Sequence, residues 1–242
     1  RILFTFVTKK RNIMTKALFF DIDGTLVSFQ THVIPASTIE ALTLAHEKGI
    51  QIFIATGRPT LIINNLGELQ SRGLIDGYIT MNGGYCYVGD QIIYKSSIPD
   101  KDVKCIADFC EKNGFPCIFV GEHDASVCQP DDLLRYIFYE HLGVKEFPEE
   151  SFEKAIQREV FQITPFFTAE QEKEVLPQVT GGEFGRWHPA FVDITAQGNT
   201  KQNGIDEFIK HFGFTLEETM AFGDGGNDIG MLRHAGIGIA MG

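Results

Sequence analysis

A short apolar run near the start of the chain ends abruptly in two carboxylates. The run Ala17–Phe20 has the length and composition of a strand buried in a parallel sheet, and Asp21, Asp23 and Gly24-Thr25 follow it. Open α/β sheets place their chemistry at the carboxyl ends of their strands. Two carboxylates at one strand end repel each other unless a cation or a proton lies between them. This segment therefore predicts a functional site at the edge of a parallel sheet.

Strand and helix patterns divide the chain into three parts. Up to Gly83 they follow the order β-α-β-α-β, which is typical of a parallel sheet. From 84 to 189 hairpin and helix patterns are mixed, which favours an α+β unit with an antiparallel sheet. From 190 to 242 the first pattern returns. We therefore expect an α/β protein with a Rossmann-like parallel-sheet core, 14–83 and 190–242, and an inserted α+β domain, 84–189.

Composition limits the kinds of partner that the chain can have. Its 242 residues carry a formal net charge of -11, which argues against a nucleic-acid or anionic membrane surface. No apolar run in the sequence is long enough to cross a membrane. The five cysteines form no C-x-x-C pair, so we expect reduced thiols in a cytoplasmic protein. We expect a monomer or a weak homo-oligomer that acts on a small molecule.

Residues 1–13 stand before Met14, which shortly precedes the first predicted strand. Their apolar part is too short for a secretory signal, their basic residues follow it, and no small-residue cleavage site comes after them. We therefore expect the natural start at Met14 and interpret residues 1–13 as a mis-called or fusion-derived extension.

Four short motifs lie at predicted strand ends or helix starts: Asp21-x-Asp23-Gly24-Thr25, Thr56-Gly57-Arg58, Lys201 and Gly223-Asp224-x-x-Asn227-Asp228. Taken singly, each has a structural alternative: a turn, a helix N-cap, a solvated lysine or a helix-capping loop. Because parallel strands end at one edge of a sheet, the motifs can converge there. They would then supply carboxylates, a hydroxyl and a lysine, which suits Mg²⁺ and a phosphate group.

These motifs, in this order and at strand ends, resemble those of the haloacid dehalogenase (HAD) superfamily. From Met14 on, the chain is similar to the Cof-type branch of capped sugar-phosphate phosphatases, in which a large α+β cap is inserted after the third core strand. The resemblance implies a Mg²⁺-dependent phosphatase of small phosphorylated metabolites, above all hexose phosphates. Relatives usually continue past Ala240-Met241-Gly242 into another helix and strand, so part of the fold is expected to lie beyond this sequence.

The resemblance also assigns roles to the two carboxylates of the first motif. Asp21 would be the nucleophile that forms an aspartyl-phosphate. Asp23 would protonate the leaving oxygen, then activate the hydrolytic water. An Asp at this position points to phosphate-ester hydrolysis or phosphosugar mutase chemistry, since dehalogenases lack this acid and P-type ATPases have Thr there.

The resemblance assigns the remaining site residues to the metal and to the phosphate. Mg²⁺ would be held by Asp21, the Asp23 carbonyl, Asp224 and, through water or by orienting its neighbours, Asp228. Thr56 and the Gly57 N–H would bind the transferring phosphoryl oxygens, and Lys201 would neutralise charge between the phosphate and Asp21. Asn227 would support the phosphate or the metal loop. Arg58 could face the leaving group or bond to the cap. One departure concerns Lys201, since the glycine that often follows the motif lysine directly is delayed here to Gly204.

The cap is expected to select the substrate because lids complete and dehydrate such sites. Trp187 and His188 lie where the inserted unit returns to the core, so they are the candidate substrate-binding residues of the cap.

Two other functions stay open from the sequence. A phosphosugar mutase of the same superfamily would return the phosphoryl group to a sugar instead of to water. A phospho-receiver or other non-catalytic regulator would use a similar sheet. Receivers accept phosphate on an Asp after the third strand, however, and this chain has Met81-Asn82 there.

Overall fold

The computed structural model describes residues 14–241, and the predicted extension at 1–13 lies outside the described residues. The described chain forms twelve strands: β1 Ala17–Phe20, β2 Gln51–Ala55, β3 Gly77–Thr80, β4 Tyr85–Val88, β5 Gln91–Lys95, β6 Cys117–Val120, β7 Ala125–Cys128, β8 Gln162–Pro165, β9 Gly182–His188, β10 Phe191–Ala196, β11 Thr219–Gly223 and β12 Ile237–Ala240. Its α-helices are α1 Ala36–Glu47, α2 Gly67–Ser71, α3 Asp100–Asn113, α4 Asp132–Leu134, α5 Phe152–Ala155, α6 Ala169–Val175, α7 Lys201–Phe212 and α8 Ile229–His234. A π-helical segment, Arg135–His141, continues α4.

The larger sheet, which we call the core sheet, has the strand order β12-β11-β1-β2-β3-β4-β5. Its first five strands pair in parallel, and the hairpin β4–β5 adds an antiparallel edge. Strand β1 is buried on both faces of this sheet: Phe19 packs into one hydrophobic cluster and Phe20 into the other. Burial on both faces explains why β1 contains no polar residue.

The smaller sheet, which we call the cap sheet, has the antiparallel order β7-β6-β8-β10-β9. On one face Ile163 and Ile194 pack in a hydrophobic cluster with Ile106 of helix α3. On the other face Phe191 belongs to a second cluster, which also contains Met81 from the core. The predicted fold class, a parallel-sheet α/β core with an inserted α+β unit, is confirmed.

Strand pairing bears on the predicted boundaries at 84 and 189. The hairpin β4–β5 extends the core sheet, although its residues were expected in the inserted domain. Strand β10 pairs in the cap sheet, although its residues were expected in the core. The local pattern of a hairpin or strand does not specify which sheet it joins, because either sheet offers an open edge. We propose that the chain passes between the two units at 96–99 and 197–200.

The two crossing segments lie against each other. The Asn199 side-chain amide donates a hydrogen bond of 3.2 Å to the Ser96 carbonyl, and Asn199 is buried. Among the described residues, no helix is long and apolar enough to span a membrane.

Candidate active site

Three neighbouring strands of the core sheet end at the same edge. Strand β1 lies between β11 and β2, so Asp224, Asp21 and Thr56 follow three adjacent parallel strands. The backbone N–H of Asp21 still donates to the Phe222 carbonyl at 3.0 Å, which continues the ladder up to the carboxylate. The expected convergence of these three motifs is therefore present in the structure.

Lys201 joins this edge from the first residue of helix α7. The Thr200 hydroxyl caps the helix by accepting from the Asn203 N–H, so the helix begins at the lysine. The Lys201 ammonium donates to Asp21 at 2.5 Å and to Asp228 at 2.6 Å, and its side chain is fully buried. A buried ammonium requires such paired carboxylates, because an unpaired charge in the interior is strongly unfavourable.

Two glycines allow helix α7 to approach the sheet edge. A Cβ at Gly83 would lie 2.2 Å from the Thr200 carbonyl oxygen, and a Cβ at Gly204 would lie 2.4 Å from the Ile79 side chain. Gly204 is the glycine that appeared delayed after Lys201 in the sequence. Its position in the helix gives it a packing role against β3, so the spacing does not displace Lys201 from the site.

Asp228 lies behind the loop that carries Asp224. It is completely buried, and one of its oxygens accepts from the Lys201 ammonium. Its other oxygen accepts from the backbone N–H groups of Asp224 at 3.0 Å and Gly225 at 2.9 Å. With both oxygens occupied, Asp228 holds the loop and Lys201 in place. An orienting role, one of its two expected roles, stays a prediction that this geometry supports.

Burial dominates the electrostatics of Asp21. It raises the pKa of the Asp21 carboxyl from 3.8 to about 6, against the opposing effect of the Lys201 ammonium, and the neighbouring Asp228 carboxylate adds to the increase. A cation bound beside Asp21 would lower this pKa again, because positive charge favours the carboxylate.

A metal ion would fit beside Asp21 and Asp224. One carboxylate oxygen of each, together with one of Asp228, lies within 4.8 Å of the others. Because both Asp228 oxygens already accept hydrogen bonds, Asp228 would support the site from behind. The absence of a side chain at Gly24 makes room for the Asp224 carboxylate, since a Cβ at Gly24 would lie 2.2 Å from one of its oxygens. The Thr25 hydroxyl donates to Asp224 at 2.8 Å and fixes its orientation. Hard oxygen donors around a partly exposed position are the set that Mg²⁺ binds in proteins.

Arg58 pairs with Asp23 rather than with the cap. Its guanidinium donates to both Asp23 oxygens, at 2.6 and 2.9 Å, and a third N–H donates to the Ile62 carbonyl at 3.0 Å. Two parallel N–H···O bonds fix the carboxylate geometrically as well as electrostatically. The Asp23 side chain is thereby held apart from the three clustered carboxylates.

The second motif forms a compact turn beside Asp21. The Thr56 hydroxyl is buried and accepts from the Arg58 N–H at 3.0 Å. The Asn82 N–H donates to the Thr56 carbonyl at 3.0 Å, and the Asn82 side chain lies 3.3 Å from where a Cβ of Gly57 would stand. Across the site, the Asn227 amide donates to the Asn82 side-chain oxygen at 3.1 Å. Asn82 therefore links two of the motifs.

The sequence did not single out Asn82 as a site residue. Asn82-Gly83-Gly84 matches a tight turn or hinge after the third strand, and Asn82 indeed adopts φ 53°. An Asn-Gly-Gly run at a strand end, next to a second strand end that carries Thr, is the signal that could have found it, since Asn tolerates the left-handed region.

Trp187 and His188 lie on the cap sheet and make no hydrogen bond to the clustered carboxylates. The Trp187 ring is 61% exposed, and its indole N–H donates to Asp193 at 2.7 Å. The His188 ring stacks on Phe191, and burial lowers the pKa of His188. Both residues line a cavity of about 260 Å³ with four other residues: Tyr136, Ile137, His141 and Leu142.

Comparisons with known proteins agree on one family. Residues 18–242 match the family model of the haloacid dehalogenase-like hydrolases. The putative phosphatase YkrA of Bacillus subtilis is 30% identical over 232 residues, which cover 94% of this chain and 86% of that protein. The pyridoxal phosphate phosphatase YbhA of Escherichia coli is 29% identical, over 94% of this chain and 88% of that protein.

A solved structure is more similar still. The HAD subclass IIB sugar phosphatase BT4131 is 68% identical to this chain and superposes on it with a TM-score of 0.88. The match covers 93% of this chain and 87% of that protein. Family model, phosphatase relatives and fold thus agree with the convergent strand-end motifs. The chain therefore belongs to the haloacid dehalogenase-like hydrolases, as a phosphatase that hydrolyses phosphoric monoesters.

Proposed function

We propose that this chain is a Mg²⁺-dependent phosphatase of small phosphorylated metabolites, above all sugar (hexose) phosphates, and that it works through an aspartyl-phosphate on Asp21. The observation that carries the proposal is the environment of Asp21. One of its oxygens accepts from the buried Lys201 ammonium at 2.5 Å, and its carboxylate clusters with those of Asp224 and Asp228. A carboxylate between a fixed cation and further metal ligands suits a nucleophile that attacks a bound phosphoryl group.

The reaction has two halves. The first half starts with Asp21 ionised and Asp23 carrying a proton. The Asp21 oxygen that Lys201 does not hold attacks phosphorus, the bond from phosphorus to the ester oxygen breaks, and Asp23 gives its proton to that oxygen. In the second, Asp23 takes a proton from a water that attacks phosphorus, and the bond from phosphorus to Asp21 breaks. Inorganic phosphate leaves, and both carboxyl groups return to their starting protonation states.

Other side chains bind and orient the phosphoryl group. Thr56 and the Gly57 N–H would bind phosphoryl oxygens, and Lys201 would offset charge between the phosphoryl group and Asp21. Asn227 would support the same group through its contact with Asn82. Mg²⁺ bound by Asp21, the Asp23 carbonyl and Asp224 would neutralise charge on the phosphoryl oxygens.

Arg58 has a specific place in this scheme. Because it holds both oxygens of Asp23, one oxygen must turn from the guanidinium to the ester oxygen before Asp23 can act as an acid. Arg58 thus orients Asp23 between turnovers and does not itself need to contact the phosphate.

The relatives support the choice of a sugar phosphate. The 68% identical protein is a sugar phosphatase, whereas the relative named for pyridoxal phosphate is 29% identical. We also propose a cytoplasmic location. The five cysteines are free, and four of them are buried, which agrees with a reducing compartment.

Metal dependence gives the test of the proposal. We expect phosphate release from p-nitrophenyl phosphate and glucose 6-phosphate in Mg²⁺, and none above background after EDTA treatment. Mg²⁺ affinity, read from the thermal shift, should weaken by about tenfold per pH unit below about pH 6, because a protonated Asp21 cannot bind the metal. Full hydrolysis in EDTA, or an affinity that does not change between pH 7 and pH 5, would contradict the metal site.

Replacing Asp23 by Asn should affect substrates according to their leaving groups. Turnover of glucose 6-phosphate should fall by about 10³-fold, because a sugar alkoxide needs a proton to leave. p-Nitrophenolate leaves without one, so p-nitrophenyl phosphate should give a burst of p-nitrophenol equal to the enzyme, followed by slow turnover. Stopped-flow absorbance measures the burst, and Asp206→Asn, on the exposed side of α7, is the control. Absence of a burst, with both substrates slowed alike, would contradict the acid role.

A further inference from the structure

A polar patch lies on one face of the cap sheet, across strands β8, β10 and β9. It consists of Gln162 and Thr164 on β8, Asp193 on β10 and Trp187 on β9, and we call it the cap patch. Asp193 accepts from the Thr164 hydroxyl at 2.7 Å and from the Trp187 indole N–H at 2.7 Å. The Gln162 side-chain amide lies 3.5 Å from the Thr164 hydroxyl.

The pleat of the sheet determines which way the cap patch faces. Val192 and Ile194, on either side of Asp193, pack into the cluster under helix α3. Asp193 therefore projects from the opposite face, as Phe191 does two residues earlier. Phe191 shares a hydrophobic cluster with Met81, which follows the core strand β3, so this face of the cap sheet is directed toward the core.

The same cluster connects the cap patch to the catalytic edge. The Met81 N–H donates to the Arg58 carbonyl at 3.2 Å, and Arg58 holds Asp23. Ile62, whose carbonyl accepts from the Arg58 side chain, packs against the same cluster from the core side. The part of a substrate that extends from the phosphate past Asp23 would thus meet this face of the cap.

The cap patch has hydrogen-bonding capacity that the protein does not use. Gln162 is only 4% exposed, and its side-chain oxygen has no hydrogen-bond partner. A buried acceptor without a donor is unfavourable, so such atoms in native proteins call for an explanation. Burial also raises the pKa of Asp193, against the donors that lower it. Beside these acceptors the Trp187 ring offers a large exposed apolar face.

We propose that the cap patch binds the hydroxyl groups of the substrate's sugar. The Gln162 oxygen and Asp193 would accept from sugar hydroxyls, and the Trp187 ring would cover the C–H face of the sugar. The four side chains carry no positive charge, which favours a neutral polyol over a second phosphate. This inference rests on the proposed phosphatase function and adds which residues distinguish a sugar ester from another ester.

The test compares a substrate that has sugar hydroxyls with one that has none. For Asp193→Asn, kcat/KM for glucose 6-phosphate should fall about 10- to 100-fold, while kcat/KM for p-nitrophenyl phosphate stays within about threefold. Asp108→Asn removes an exposed carboxylate from helix α3, on the other side of the cap, and is the matched control. It should leave both values unchanged.

A second variant separates binding from folding. Gln162→Met removes an unpartnered buried oxygen, so its melting temperature should stay the same or rise, whereas kcat/KM for glucose 6-phosphate should fall by about tenfold. The inference is overturned if both variants keep the wild-type ratio of the two substrates, or lower both activities equally. If wild-type protein hydrolyses neither substrate in Mg²⁺, the proposed function itself fails, which is a separate outcome.

Discussion

Replacement of Asp21 by Asn should lower phosphatase turnover by at least about 10⁴-fold, for sugar phosphates and p-nitrophenyl phosphate alike. The amide keeps the shape of the side chain but is not a nucleophile, so good and poor leaving groups lose activity together. This differs from Asp23→Asn, for which the leaving group matters. Steady-state assays of phosphate release in saturating Mg²⁺ measure the effect.

The folding of the Asp21→Asn variant needs its own control. Circular dichroism and the melting temperature establish that it is folded. The variant Asp206→Asn, on the exposed side of α7, reports on any general effect of losing an acidic side chain from the core unit. If Asp21→Asn retained more than about one hundredth of wild-type turnover, the covalent route would be contradicted, and direct attack of water on the substrate would explain the reaction.

Replacement of Lys201 by Met should be the most destabilising single change at the site. It leaves Asp21 and Asp228 buried together without their shared cation, which should lower the free energy of unfolding by about 3–5 kcal/mol at neutral pH without metal. The loss should shrink at acid pH, because burial and Asp228 already raise the pKa of Asp21 and loss of the ammonium raises it further. Urea unfolding followed by circular dichroism at pH 5 and pH 8 measures both effects.

The same helix supplies a matched control for Lys201. The side chain of Lys210 on α7 is 81% exposed, so Lys210→Met makes the same substitution without removing a buried charge. Adding Asp228→Asn to Lys201→Met should restore part of the stability, since it removes one of the two uncompensated carboxylates. Equal urea midpoints for Lys201→Met and Lys210→Met would mean that the buried ion pairs do not stabilise the fold.

Parallel topology made most of the catalytic edge predictable. An apolar run followed by Asp21, a second followed by Thr56 and a third followed by Asp224 are local patterns, and parallel pairing brings their ends together. Lys201 was expected at a helix start, but a single lysine carries no local pattern, so its role depended on the resemblance. The packing of Gly204 against Ile79, which the sequence does not reveal, explains why the altered glycine spacing leaves the lysine in place.

Other features depend on contacts between distant segments. The partner of Arg58 could not be predicted, because its long side chain can reach groups in the core or in the cap. The fold shows that its partner is the Asp23 carboxylate. The sheets that β4, β5 and β10 join were not foreseen, because strand patterns do not identify the sheet that a strand joins. The sequence did not mark polar residues at alternate positions of cap strands, such as Thr164 and Asp193, as binding residues. Such alternation is usual in an antiparallel strand that has one face in solvent.

The covalent intermediate on Asp21 gives the most direct test of the proposed mechanism. The Asp23→Asn enzyme should be mixed with p-nitrophenyl phosphate labelled with ³²P and quenched in acid during the burst. Borohydride reduction and peptide mapping then locate the phosphorylated residue. We expect label in near-stoichiometric amount and reductive conversion at position 21. A full first turnover without labelled protein, or label on another residue, would contradict nucleophilic attack by Asp21.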